Sequence, residues 1–541
     1  MIPGISPARL KPAHQTGASL VTWLLLAACV ALPSTRTDAQ QQPAPDRSPA
    51  RSHFSSAQKA LAAGDSVTAV EELQQAIQAD PKFAEAYLLL GLTEFRRGET
   101  EKSIQHYQQS LKLEPHSYSG RYNLALAYLR EHRLEDGRAQ LEQAVKLDPI
   151  QADAAYDLGI VLLEQGKPSA ALTHLTRARR LNPRRPDVAF NIVRAELEAG
   201  HVSEARIEAQ TAAQHFGQDF QWSAAVGQLF LKNAAPGDAA VYLHTASLIR
   251  PDDLEIRRQL ALAYLASGGT KQVLDAISDP KTSDDHYLRG SAYYLDHRFA
   301  EADRESEQAL TLAPDNPQAL VLRTRVLQRA GEQGAALELA RKAAALAPNW
   351  DEPFYLAGIS LYFIRRYSEA GENLARAAEL NPKSARALFL EAAALVNQGK
   401  HDEAERCLRR AIALQPKNAR FHCHLGILLV RENRDAEAEP SFRSAIALAP
   451  NYALPHYELG KVLVRSKQWS AAAQELQQAV NHDPNLSAAY YQLARVYAKL
   501  GKTEKSERML ADFEKLYQKQ TNDSQTQDDD ARKETESPDS P

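Results

Sequence analysis

The densest group of chemically capable side chains in this sequence is His422-Cys423-His424, with His456 further along. Imidazole and thiolate are preferred zinc ligands. Adjacent residues on a helix point in different directions, however, so this run cannot close on one ion, and no metal is expected. Cys407 and Cys423 fall on consecutive predicted helices. They either close a disulfide or sit as two small buried apolar side chains. No CxxC pair, glycine-rich phosphate loop, GxSxG elbow, HExxH helix or dinucleotide fingerprint occurs. The residue types therefore point away from catalysis: no enzyme activity, no catalytic residue and no cofactor is expected.

The element that would position any of these residues is a helical pair repeated down the chain. Asp351–Pro382 reads as two amphipathic helices meeting at Arg365-Arg366-Tyr367, with small residues at Gly358, Ala370 and Ala377 and a closing proline. Helices approach this closely only where a side chain is small. Leucine at Gly358 or Ala370 would overpack the contact at about 1–3 kcal/mol. Prolines at 81, 115, 149, 183 and 251, then at 314, 348, 382, 416, 450 and 484, hold a 34-residue grid with one slip. Gly91, Ala125, Gly159, Gly227 and Ala261 keep the register in first helices; Ala171, Ala205, Ala239, Ala302 and Ala336 keep it in second ones. Tyr128, Tyr264, Tyr293 and Tyr497 recur three residues after the small residue, and Leu158-Gly159, Leu425-Gly426 and Leu459-Gly460 repeat one dipeptide. This pattern resembles the tetratricopeptide repeat, in about fourteen copies. Tyr87, Phe354 or Tyr490 stands where that family carries tryptophan. The resemblance implies an all-α fold, an α-solenoid wound as a right-handed superhelix of helix-turn-helix repeats.

The remaining segments bound the array. Arg9 and Lys11, the apolar run Leu20–Leu32 and the small-residue site Thr37-Asp38-Ala39 make residues 1–39 an export signal. The run spans about 20 Å as a helix, short of the roughly 30 Å hydrocarbon core. Leu26-Ala27-Ala28-Cys29 also resembles a lipoprotein box, which leaves lipidation at Cys29 as an alternative to plain cleavage. Residues 40–50 form a Pro/Gln linker, 51–253 an N-terminal array, 254–282 a shortened repeat or hinge, and 283–519 a C-terminal array with a capping helix. Residues 520–541 are nearly free of apolar side chains and are expected to be a disordered acidic tail. A formal net charge of −4 over 541 residues gives no electrostatic footprint for nucleic acid.

In the family it resembles, the second, fifth, ninth and twelfth positions of each repeat face a concave groove. Here the fifth is repeatedly aromatic: Tyr122, Tyr156, Phe190, Tyr287, Tyr355, Phe389, Tyr457 and Tyr491. The second runs from acids such as Glu85, Asp153 and Glu352 to Arg386 and Arg420, a gradient that would orient a charged ligand. An aromatic trough suits a peptide or partner segment, and also a sugar surface. Three readings stay open. One is a non-catalytic protein-binding scaffold of the periplasm or cell envelope; another is an accessory of polysaccharide synthesis or export. The last is a non-catalytic subunit of an enzyme complex. The expected partners are protein or peptide, with polysaccharide as the alternative, and the chain is peripheral to a membrane only if Cys29 is lipidated.

Overall fold

The computed structural model describes residues 48–535, and every regular element among them is a helix: twenty-eight, from Ser48–Ala62 to Thr503–Thr535. They follow one another as hairpins such as Asp351–Phe363 (13 residues) with Tyr367–Leu380 (14 residues). The chain divides between Ser278 and Asp279 into two compact units. Within each unit the second helix of a hairpin packs on the first helix of the next, and successive first helices also touch. No single hairpin can hide its own apolar face, so stacking is what completes the core. The core runs through residues such as Leu158, Leu175 and Leu243 in one unit and Leu374, Leu459 and Leu476 in the other, all at 1% exposure or less.

The hairpins close in one way. Residues 64, 98, 132, 166, 200, 234 and 268 in the first unit, and 297, 331, 365, 399, 433, 467 and 501 in the second, all have φ between 56° and 87°. Glycine fills most of these places. His132, Ala234, His297, Arg365, Asn433 and Lys467 adopt the left-handed conformation despite a Cβ, at about 1–2 kcal/mol each. The prolines mark the period in the sequence; this left-handed residue marks it in the backbone, with the same slip between Gly268 and His297.

In several hairpins a glycine of the first helix seats a large side chain of the second. A Cβ on Gly358 would stand 2.5 Å from Leu374 Cγ, and one on Gly159, Gly227 or Gly460 would stand 2.6 Å from Leu175, Leu243 or Leu476. A Cβ on Gly426 would stand 2.6 Å from the ring of Phe442. No real Cβ tolerates such distances, so these glycines are fixed by packing. Ala370 and Ala377 are buried in the same seam.

The irregular places have local causes. The first unit ends with Leu254–Ala266 and a second helix of only 7 residues, Thr270–Ala276, soon followed by Asp279-Pro280. Proline lacks an amide donor and forces its predecessor out of helical geometry. The second unit opens at Thr282 with a capping box. Thr282 Oγ1 accepts from the Asp285 amide at 3.3 Å, and Asp285 Oδ2 accepts from the Thr282 amide at 3.0 Å. The first helix begins at Ser48, inside the stretch expected to be a linker, because Ala50 is already buried. The last helix runs to Thr535, past the expected end at residue 519, since neither proline nor glycine interrupts it. The proposed signal at 1–39, with Cys29, and residues 536–541 of the tail lie outside the described residues. No helix among the described residues is long and apolar enough to cross a membrane.

Candidate binding groove

The fifth positions of the first helices have three different fates. In the first unit Tyr122 and Tyr156 fasten one hairpin to the next. Tyr122 is 7% exposed, and its Oη donates to Asp157 Oδ2 at 2.8 Å in the first helix of the following hairpin. Tyr118 stacks on the Tyr122 ring at 5.8 Å between centroids. Burial pushes the Asp157 carboxyl up to about 7, against the Tyr122 hydrogen bond that favours its charged form. Tyr156 repeats the theme, half-buried, with Oη accepting from Asn191 Nδ2 at 3.2 Å. Arg185 lies 4.4 Å over the Tyr156 ring and pairs with both Asp153 and Asp187 at 2.6 Å. Phe190 packs half-buried against the core around Val193 and Leu197. Tyr122 is therefore not a groove residue: its ring and hydroxyl are consumed by the neighbouring repeat.

In the second unit Tyr355 and Phe389 are roofed by arginine, while Tyr287 is covered by burial alone. Tyr287 is half-buried, and burial holds its hydroxyl above the ordinary phenol range. Arg386 lies 4.3 Å over Tyr355 and also pairs with Glu352. Glu352 is 1% exposed and receives Arg325 on its other oxygen at 2.7 Å. Two guanidiniums satisfy one buried carboxylate, an arrangement that is tolerable only because both oxygens are bonded. Arg420 sits 6.0 Å over Phe389, which also stacks on Phe421 at 5.1 Å and meets His424 edge-on at 4.9 Å. The expected acid-to-arginine gradient thus does not line a free floor. Glu352 and Arg386 neutralise each other across one repeat boundary, and Asp153 is bound by Arg185.

At the end of the second unit the positions open. Tyr457 is half-buried with the Lys461 ammonium 5.1 Å over its ring, and Tyr491 is 42% exposed. Phe513 of the last helix lies 5.4 Å from Tyr491 and 5.8 Å from Tyr517. Between them is a cavity of about 350 Å³, lined by Tyr457, Ser487, Tyr491, Gln492, Phe513 and Tyr517 among others. Aromatic faces with a hydroxyl and an amide at the rim bind apolar groups and fix their orientation by hydrogen bonds.

The remaining candidates do not assemble. Cys407 and Cys423 are buried free thiols and form no disulfide. Cys407 hydrogen-bonds Glu391 and Cys423 hydrogen-bonds Tyr452, so each is held by a different partner, and burial pushes both up to about 12. His422 Nε2 bonds the Pro416 carbonyl at 2.9 Å, while His456 bonds Glu475 at 2.7 Å and the Pro450 carbonyl at 2.9 Å. With His424 turned onto Phe389, the histidines face three ways.

Family models described as tetratricopeptide repeat match residues 54–118, 122–171, 355–404 and 389–453, and a second set matches 162–229, 429–491 and 463–522. Together they span more than half of the chain. No curated protein matches. Among solved structures, the chain is similar to the APC/C hetero-tetramer Cut9–Hcn1, at 15% identity over 83% of this chain and 96% of that one, with a TM-score of 0.42. It is similar to yeast Tom70 at 16% identity, covering 81% and 92%, with a TM-score of 0.32. It is also similar to MamA protein at 22% identity, covering 32% and 94%, with a TM-score of 0.30.

Proposed function

The chain belongs to the tetratricopeptide repeat family, and from that premise we propose that it is an exported, non-catalytic scaffold of the cell envelope. It holds a peptide or partner segment on the aromatic face of its first helices. Repeats of this kind typically bind protein partners and typically carry no catalysis. The location rests on the basic start, apolar run and small-residue site within residues 1–39. The observation that carries the binding surface is the cavity between Tyr457 and Tyr491, where ring faces are still open to a ligand. Rigid rings bury area with little loss of side-chain freedom, which suits a short segment laid across two repeats.

A photo-crosslinker at Gln492 in the full chain, followed by recovery from the envelope, tests this reading. A crosslinked polypeptide should appear, and should disappear when Tyr457→Ala and Tyr491→Ala are combined. Crosslinking that survives the double substitution refutes the aromatic end as the binding surface. Retention of a glycan instead of a polypeptide, sensitive to the same pair, transfers the site to the polysaccharide-accessory reading. Co-recovery of an active enzyme identifies the chain as its non-catalytic subunit.

A further inference from the structure

One hairpin tip departs from all the others. At the end of Asp351–Phe363 the chain exposes Phe363 at 65% and Ile364 at 39%, followed directly by exposed Arg365 and Arg366. The equivalent pairs in the other hairpins of this unit are Leu295-Asp296, Arg329-Ala330, Asn397-Gln398, Arg431-Glu432, Arg465-Ser466 and Lys499-Leu500. Leu295 and Leu500 are the large apolar ones among these, and both are half-buried. In the first unit the same places hold alanine, serine or polar and charged residues. The apolar pair at 363–364 is therefore not required by the hairpin.

The surroundings give the pair a character. Tyr362 and Tyr367 meet edge-on at 5.4 Å behind Phe363, which gives the tip a rigid aromatic base. Arg366 is held by Glu369 at 2.6 Å, and the Arg365 amide donates to the Tyr362 carbonyl at 3.0 Å while its guanidinium has no hydrogen bond or ion pair among the described residues. Arg365 also occupies the left-handed turn position, φ 62°, that glycine fills in most hairpins. A strained conformation is kept here by a cation where glycine would relax it.

We infer that Phe363-Ile364-Arg365-Arg366 is a wedge that seats on an anionic phospholipid surface, with the ring and the branched side chain in the interfacial layer and the Arg365 guanidinium on lipid phosphate. Two bulky apolar side chains beside cations are the combination that interfacial binding rewards. The contact is independent of the groove and needs no lipid on Cys29, so its failure leaves the scaffold reading untouched.

Co-sedimentation of the full chain with phosphatidylglycerol/phosphatidylcholine vesicles, and with phosphatidylcholine alone, reads the contact. Phe363→Asp with Ile364→Asp should weaken partition at least about tenfold. Arg365→Gly, which relieves the turn and cannot act by misfolding, should weaken partition to anionic vesicles about fivefold. It should not affect neutral ones, and its Tm should be equal or higher. Ala62→Asp with Ala63→Asp, exposed at the first hairpin tip, adds the same charge and should change nothing. Unchanged partition of the 363/364 pair, or equal partition of the parent chain to both vesicle types, overturns the assignment. So does loss of a protein partner from the 363/364 variant with partition intact, which would make the tip a protein contact.

Discussion

Tyr122 and Tyr491 occupy the same place in their repeats and are used in opposite ways. The first is buried with its hydroxyl on Asp157; the second is 42% exposed on the rim of a cavity. Part of the difference lies in the residue 35 positions downstream, which Tyr122 finds on the next first helix, whereas Tyr491 is followed only by the last helix, whose Phe513 meets its ring. For Tyr122 and Tyr156 it is Asp157 and Asn191, each within hydrogen-bond reach of the ring hydroxyl. For Phe190 and Tyr355 it is Ala225 and Leu390; for Phe389 it is His424, which meets the ring; for Tyr457 it is Gln492, on the cavity wall. A polar partner in reach of the hydroxyl makes Tyr122 and Tyr156 fasteners between repeats, while Phe190 is covered by core packing, Tyr355 by Arg386, and Tyr491 stays exposed. The repeat thus supplies the aromatic, and its neighbour decides the role.

Alanine replacements break this contrast most visibly. Tyr122→Ala should destabilise the first unit by about 3–5 kcal/mol, as for other buried aromatics, whereas Tyr491→Ala should stay under about 1 kcal/mol. Denaturant titration compares them, and equal losses would mean that the two positions are equivalent after all. A smaller effect comes from the hydroxyl alone. Tyr122→Phe strands the buried Asp157 carboxyl and should cost about 1–3 kcal/mol, and adding Asp157→Leu should recover part of that loss. A double-mutant cycle returning no coupling would dismiss the fastener.

The mildest probe is pH. Asp157 keeps its proton to about pH 7 when folded, against an ordinary 3.8, so the folded chain binds the extra proton between those values. Its stabilising contribution is complete below about pH 4 and lost as pH rises through 7, at about 1.4 kcal/mol per unit of difference. Between pH 5 and 7.5 the parent should therefore lose melting temperature relative to Asp157→Asn. Parallel curves would place that carboxyl in water.

The architecture was legible because its signals are local and repeated. Prolines on a fixed period, Gly358 before Leu374 and Gly159 before Leu175 all sit within one hairpin, where helix geometry relates spacing to contact directly. The aromatic positions were legible too, but not their exposure. That depends on pairs across repeat boundaries, Tyr122 with Asp157 or Arg325 with Glu352, which no period within a hairpin reveals. One signal was available: Asp157 and Asn191 are polar residues that directly precede the apolar runs Leu158–Leu163 and Ile192-Val193 of their first helices. A polar side chain in such a place needs a partner, and the aromatic one repeat earlier is the residue in reach. The short helix Thr270–Ala276 was foreshadowed by Asp279-Pro280, while the left-handed turn residues escaped notice because six of the fourteen are not glycine.

Each glycine seat is completed inside one hairpin, whereas each tyrosine clasp reaches over a single boundary. A gene built on this plan can gain or shed whole copies by duplication or excision, and every surviving copy keeps its interior. Only the splice must adapt. The count of hairpins is then a quantity that descent can vary freely, while the open aromatic end, confined to the last few helices, is inherited as a block.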